Sequence, residues 1–259
     1  MRYAPCAVHS GITTKFVYPI ERRNQLSQQE ALKRRAAVRA VEFIESGMVI
    51  GLGTGSTAYY AIKQIGENIQ SGKLQDVVGV SSSERSEILA KKLNIPLADL
   101  ETHPTIDLNI DGADEVDPDL NLIKGGGGAL LREKVIAQAS RRNIIIVDES
   151  KLSPRLGTKW ALPVEVVPFA CRTEQIFLES IGKSVTLREG DGKSPYLTNQ
   201  GNFILDADFG SIADPAELVS RLNERAGIVE HGLFLGLATD VIVAAEEGIR
   251  HLKRDGGQL

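Results

Sequence analysis

The chain has 259 residues, 42% of them hydrophobic and 25% charged, with a formal net charge of -4. That length supports one large or two small domains, each with its own core. The mild negative charge gives no general attraction to nucleic acid or an anionic membrane, and no stretch is long and apolar enough for a membrane helix.

Any anionic ligand must therefore be held by local groups. The two cysteines, Cys6 and Cys171, fit neither a disulfide framework nor a zinc site, so a cytoplasmic setting is expected. Residues 1–26 lack the continuous apolar core of a secretory signal and read as an N-terminal extension.

The first helix is expected to start at Ser27, where Ser27 and Glu30 have capping-box spacing, with Ala37, Val41 and Ile44 on one face and Gly47 as its end. The trio Lys33 to Arg35 reads as a solvated face. Met48 to Leu52 then predicts a buried strand, and Gly51, Gly53 and Gly55 a tight turn before a helix near Ser56 or Thr57. Strand, glycine loop and helix form a phosphate cradle, since first-turn N–H groups and the helix dipole favour an anion. A plain tight turn with a Ser/Thr cap is the alternative. Ser56 rules out the dinucleotide fingerprint, and Ser56 with Thr57 rules out a Walker A loop.

Val77 to Val80 predicts a second strand, with Ser81 and Glu84 as a capping box for a helix running to Leu93. Ile95 to Ala98 reads as a further short strand. Ile106, Leu108 and Ile110 predict a strand ending at Asp111, and Gly125 to Gly128 open a helix near Ala129. Ile144 to Val147 is an apolar strand leading into Asp148, Ser150 and Lys151.

Strands alternating with helices imply a Rossmann-like parallel sheet, whose ligands collect at the carboxyl ends of the strands. After Pro163 the order becomes βαββαβ, the pattern of a ferredoxin-like α+β domain with few candidate catalytic groups and a structural or oligomerising role. Residues 240–245 supply a strand that rejoins the first sheet, followed by a short helix. The expected division is an α/β catalytic domain over 27–160 plus 237–259, and a smaller domain over 161–236.

Asp111 and Asp114 leave a strand on one turn, either as an acidic solvent loop or as a site. Asp107, Asn109, Asp111 and Gly112 match the start of a calcium loop, but Pro118 stands where its bidentate glutamate belongs. Magnesium at Asp111 and Asp114 has no supporting cluster. Glu133, in the helix after the glycine run, is either a surface partner of a neighbouring base or a proton-transfer group. Four glycines cost backbone entropy that close approach of a ligand would justify, and Lys124 with their amides suits an oxyanion.

The segments GLGTGSTA, VSSSE, NIDGADE, IKGGGGALLREK, DESK and LPVEVVP, in this order and spacing, resemble type A ribose-5-phosphate isomerases from Ser27 almost to the C-terminus. Leu131 stands where many relatives have threonine. The resemblance implies interconversion of ribose 5-phosphate and ribulose 5-phosphate through an enediolate, in the non-oxidative pentose phosphate pathway, without metal or organic cofactor. It implies that Glu133 moves the proton between C1 and C2. Asp111, Asp114 and Lys124 would assist ring opening and proton movement, within a substrate site that includes Gly112 and Ala113. Lys124 and the amides of Gly125, Gly126 and Gly127 would steady the enediolate. The phosphate would rest on Thr54, Gly55, Ser56 and Thr57 with Lys151 and Lys33. A homodimer or homotetramer is implied, with no nucleic-acid or membrane partner. Another sugar-phosphate enzyme of the same fold, or a non-catalytic sugar-phosphate sensor, is the rival reading.

Overall fold

The computed structural model describes residues 20–254. Most of the expected N-terminal extension, residues 1–19, and Cys6 with it lie outside the described residues. The first helix, α1 (Ile20–Val41), runs through Ser27, so Ser27 does not begin it, and it stops six residues before Gly47. Ala37, Val41 and Ile44 are buried as the spacing predicts.

β1 (Val49–Leu52), α2 (Ser56–Gln70), β2 (Val78–Ser81), α3 (Glu84–Lys92), β3 (Leu97–Ala98) and β4 (Leu108–Asp111) follow within two residues of expectation, β3 and β4 each starting two residues late. The α3 cap is corrected: Ser83, not Ser81, is the N-cap, and its hydroxyl accepts from Ser86 N–H. β5 (Glu115–Val116) and β6 (Leu122–Ile123) form a hairpin before α4 (Leu130–Ala139) and β7 (Asn143–Asp148).

The smaller domain contains β8 (Leu162–Val166), α5 (Cys171–Ile181), β9 (Ser184–Leu187), β10 (Phe203–Asp208), α6 (Pro215–Asn223) and β11 (Ile228–His231). Its antiparallel sheet has the order β11-β8-β10-β9. First and third strands are thus central, the ferredoxin-like arrangement.

The expected single strand over residues 227–234 is instead two. It breaks at Gly232, and β12 (Leu233–Phe234) leaves the small domain to pair with β6. β5, β6 and β12 are too short to carry a periodic signal, and they make a separate three-stranded sheet.

β13 (Asp240–Ala245) rejoins the large sheet parallel to β7 as expected. The short helix expected after it is a strand, β14 (Gly248–Lys253), paired antiparallel to β13 at the sheet edge. Gly248 ends the turn; Ile249 borders α1 across a groove, and Leu252 packs against the core that holds Val241 and Val243.

The large sheet has the order β14-β13-β7-β4-β1-β2-β3, doubly wound with its switch between β1 and β4. Side-chain alternation supplies two cores. Ile144 and Ile146 face α1 and α2 together with Ile50, Leu52, Leu108 and Ile110, while Ile145 and Val147 face the other side with Phe234, Val241 and Val243. Each such side chain contributes about 1.5–3 kcal/mol relative to exposure. The loops after β1 and β4 leave this packed sheet side by side at the switch point.

Candidate active site

Asp111 ends β4, and the turn after β1 is pressed against it. Its Oδ1 accepts from Thr54 N–H at 3.0 Å and Gly112 N–H at 2.7 Å. A Cβ on Gly53 would lie 2.2 Å from that oxygen, so only glycine lets the loop reach it. The other oxygen, Oδ2, stands 3.1 Å from Lys124 Nζ.

Lys124 is held at the end of β6, its N–H donating to Gly232 carbonyl at 2.9 Å. Its ammonium donates to the Gly112 carbonyl at 2.5 Å and lies 3.5 Å from Glu133 Oε1. Glu133, one turn into α4, is 4% exposed, and its Oε2 is buried with no hydrogen-bond partner among the described residues. An ionised carboxylate so placed has one oxygen free to accept a proton.

Burial pushes the Glu133 carboxyl up to about 8 against the pull of Lys124, and Asp111 and Asp114 add to the rise. For Lys124, burial opposes the charge, but Asp111 and Glu133 outweigh it and hold the ammonium above the usual lysine range. The lysine stays charged while the glutamate sits near its point of titration.

The glycine run is divided in its tasks. Gly126 donates its N–H to Asp114 Oδ2 at 2.7 Å, and a Cβ there would meet the same carboxylate at 2.7 Å. That amide is therefore committed, a correction to the expectation that all three amides face the ligand. The N–H groups of Gly125 and Gly127 have no acceptor among the described residues, and both residues line the cleft.

Across the cleft, α2 begins at Gly55 without a side-chain cap, leaving its first-turn N–H groups open to an anion. Lys33 Nζ, from α1, donates to Ser56 Oγ at 3.0 Å. Lys151, in the turn after β7, lies 4.9 Å from the centre of the Trp160 ring. Thr54 Oγ1 is fixed by Ser82 and Ser83 at 2.7 Å and Ser86 at 3.1 Å, so the serine-rich segment braces the cradle as well as capping α3.

These groups enclose a cleft of about 120 Å³. Of the sequence-predicted residues, Thr54, Gly55, Ser56, Thr57 and Lys33 line one wall, and Gly112, Ala113, Asp114, Lys124, Gly125, Gly127, Glu133 and Lys151 the rest. Asp111 supports Lys124 from beneath, and Gly126 turns away. Gln29 also lines the cleft and was missed; its position one helical turn before Lys33 was the available signal. Among the described residues no group of three or more histidine, cysteine, aspartate or glutamate side chains is placed to hold a metal ion, and no helix is long and apolar enough to cross a membrane.

The family described as ribose 5-phosphate isomerase A (phosphoriboisomerase A) matches residues 78–248. The chain belongs to this family. Ribose-5-phosphate isomerase A of Desulfatibacillum aliphaticivorans is 59% identical over 228 residues, 88% of this chain and 99% of that protein. The Methanothermobacter thermautotrophicus protein of the same name is 49% identical, covering 86% of this chain and 97% of its own. Among solved structures, a D-ribose-5-phosphate isomerase in complex with phospho-erythronic acid is 44% identical with a TM-score of 0.85, over 87% of this chain and 99% of that one. The ribose 5-phosphate isomerase of Plasmodium falciparum is 39% identical with a TM-score of 0.84, over 88% and 100%. Membership of the ribose 5-phosphate isomerase A family makes this chain an isomerase.

Proposed function

We propose that the chain interconverts ribose 5-phosphate and ribulose 5-phosphate by proton transfer through an enediolate, with Glu133 as the base. The observation that carries this reading is the unpartnered Glu133 Oε2 beside the Lys124 ammonium. Proton abstraction next to a carbonyl needs a base and a fixed positive charge at the oxygen where negative charge develops.

The phosphate rests at the α2 N-terminus between Lys33 and Lys151, which directs C1 and C2 towards Glu133. In the open-chain aldose, Glu133 takes the C2 proton. The C–H electron pair becomes the C1–C2 double bond, and the carbonyl π pair moves onto O1, where Lys124 and the Gly127 N–H receive the charge. A proton passes from O2 to O1, assisted by Asp114 while Asp111 holds the Lys124 ammonium, and Glu133 returns its proton to C1 as O2 becomes the ketone oxygen. Ring opening uses Asp114 on the sugar oxygens.

Lys124 and amide donors stand where a metal ion would otherwise polarise the carbonyl. The reaction is accordingly proposed to be metal-independent. The decisive assay follows ribulose 5-phosphate formation from ribose 5-phosphate with and without a chelator. Equal rates are expected; no turnover, or turnover abolished by the chelator, would overturn the reading. Glucosamine 6-phosphate as a second substrate tests the rival sugar-phosphate chemistry. Cytoplasmic location and assembly as a homodimer or homotetramer belong to the same proposal.

A further inference from the structure

The small domain carries a cation that touches the glycine run from behind. Arg188, just past β9, is pinned by Asp206 of β10: Nε donates to Oδ2 at 2.9 Å and Nη2 to Oδ1 at 2.5 Å. The remaining nitrogen, Nη1, donates to the carbonyls of Gly125 at 2.8 Å and Gly126 at 3.3 Å. Tyr196 hydroxyl reaches the next carbonyl, that of Gly127, at 3.4 Å. Three successive carbonyls of the run thus point at the small domain.

In a planar trans peptide the C=O and N–H vectors are opposed. Drawing the Gly126 carbonyl back therefore aims the Gly127 N–H forward into the cleft. Drawing the Gly125 carbonyl back aims the Gly126 N–H at Asp114, which it meets at 2.7 Å. A guanidinium on a peptide oxygen also pulls electron density from the paired N–H, and charge-assisted bonds are the stronger kind.

We propose that Arg188 is a positioning residue for the isomerisation, aiming and polarising the Gly127 N–H towards the enediolate oxygen through the two peptide groups it holds. This inference rests on the proposed function of the site. Arg188 does not line the cleft, and its effect is confined to the step in which oxygen charge grows. The domain expected to be structural thereby shapes the chemistry.

The full-length parent, Arg188→Ala, Arg188→Lys and Asp206→Asn are compared for kcat and KM with ribose 5-phosphate. Affinities for inorganic phosphate and for phospho-erythronic acid are measured by calorimetry. Loss of Arg188 is expected to lower kcat roughly 10- to 100-fold, by analogy with groups that orient a reacting ligand without touching it. KM and inorganic phosphate affinity stay within about twofold, because the phosphate cradle is untouched. Phospho-erythronic acid, whose carboxylate presents anionic oxygens as the enediolate does, weakens in step with kcat. Arg188→Lys restores part of the rate, and Asp206→Asn lowers it in the same direction; these two decide the matter if Arg188→Ala does not fold. A kcat unchanged in the folded variants while the parent is active overturns the role of Arg188 alone. Parallel loss of inorganic phosphate binding overturns it too, since that marks general disruption. A parent that does not convert ribose 5-phosphate overturns the reading of the site itself.

Discussion

The Lys124 ammonium stands 3.5 Å from one oxygen of Glu133, and the other oxygen of that buried carboxylate has no partner among the described residues. The lysine holds the glutamate in place without occupying the lone pairs that the proposed reaction uses.

Glu133→Gln keeps the shape and removes the proposed base. Steady-state kinetics are expected to show kcat reduced roughly 10²- to 10⁴-fold with KM nearly unchanged. Turnover near that of the parent would remove Glu133 from the mechanism.

The raised Glu133 carboxyl fixes the sign of two pH dependences. With Glu133 as the proposed base, the free enzyme needs it ionised, so kcat/KM is expected to rise with pH towards a limb near 8. Stability runs the other way. The folded state binds the proton more tightly than the unfolded chain, whose reference value is 4.5, so this contribution is full below that value and is lost as pH rises through about 8. Thermal melts across this window, compared with Glu133→Gln, should show the variant with the flatter profile; identical profiles would contradict the assignment.

Lys124→Met removes the cation between two buried carboxylates. Transition-state stabilisation is expected to fall by ~3 kcal/mol, as on loss of an oxyanion donor. The uncompensated Asp111 and Glu133 add a stability loss of about 3–5 kcal/mol unless one of them takes up a proton. Kinetics and denaturant titration measure the two effects separately, and a variant with parental kcat would refute the first.

Lys33→Ala and Lys151→Ala remove the two lysines proposed to hold the non-reacting, phosphate end of the substrate. Each is expected to raise KM about tenfold with a smaller change in kcat, the signature of binding shared by ground and transition states. A drop in kcat at constant KM would place these lysines in the chemistry instead.

The main chain of the cleft was legible because its loops follow strongly apolar strands. Leu108 and Ile110 led to Asp111, and Ile144 to Val147 led to Lys151, so the parallel sheet alone brought these ends together. The β5, β6 and β12 pairings were not legible: two-residue strands have no periodicity, and the β6–β12 bonds join segments on either side of the small domain. Ser83 displaced Ser81 as a cap because β2 runs one residue further than its apolar run. Nor does spacing reveal that Gly126 serves Asp114 while its neighbours face the cleft, since carbonyl direction is set by Arg188 from another domain.

The return of Leu233 and Phe234 to Leu122 and Ile123 has a consequence for engineering. The segment that ends in Lys124 is completed by chain that emerges only after the small domain has been traversed. Excising that domain to obtain a minimal catalyst would strip the lysine of its neighbouring strand, so the enzyme cannot be miniaturised by discarding what looks like an appendage.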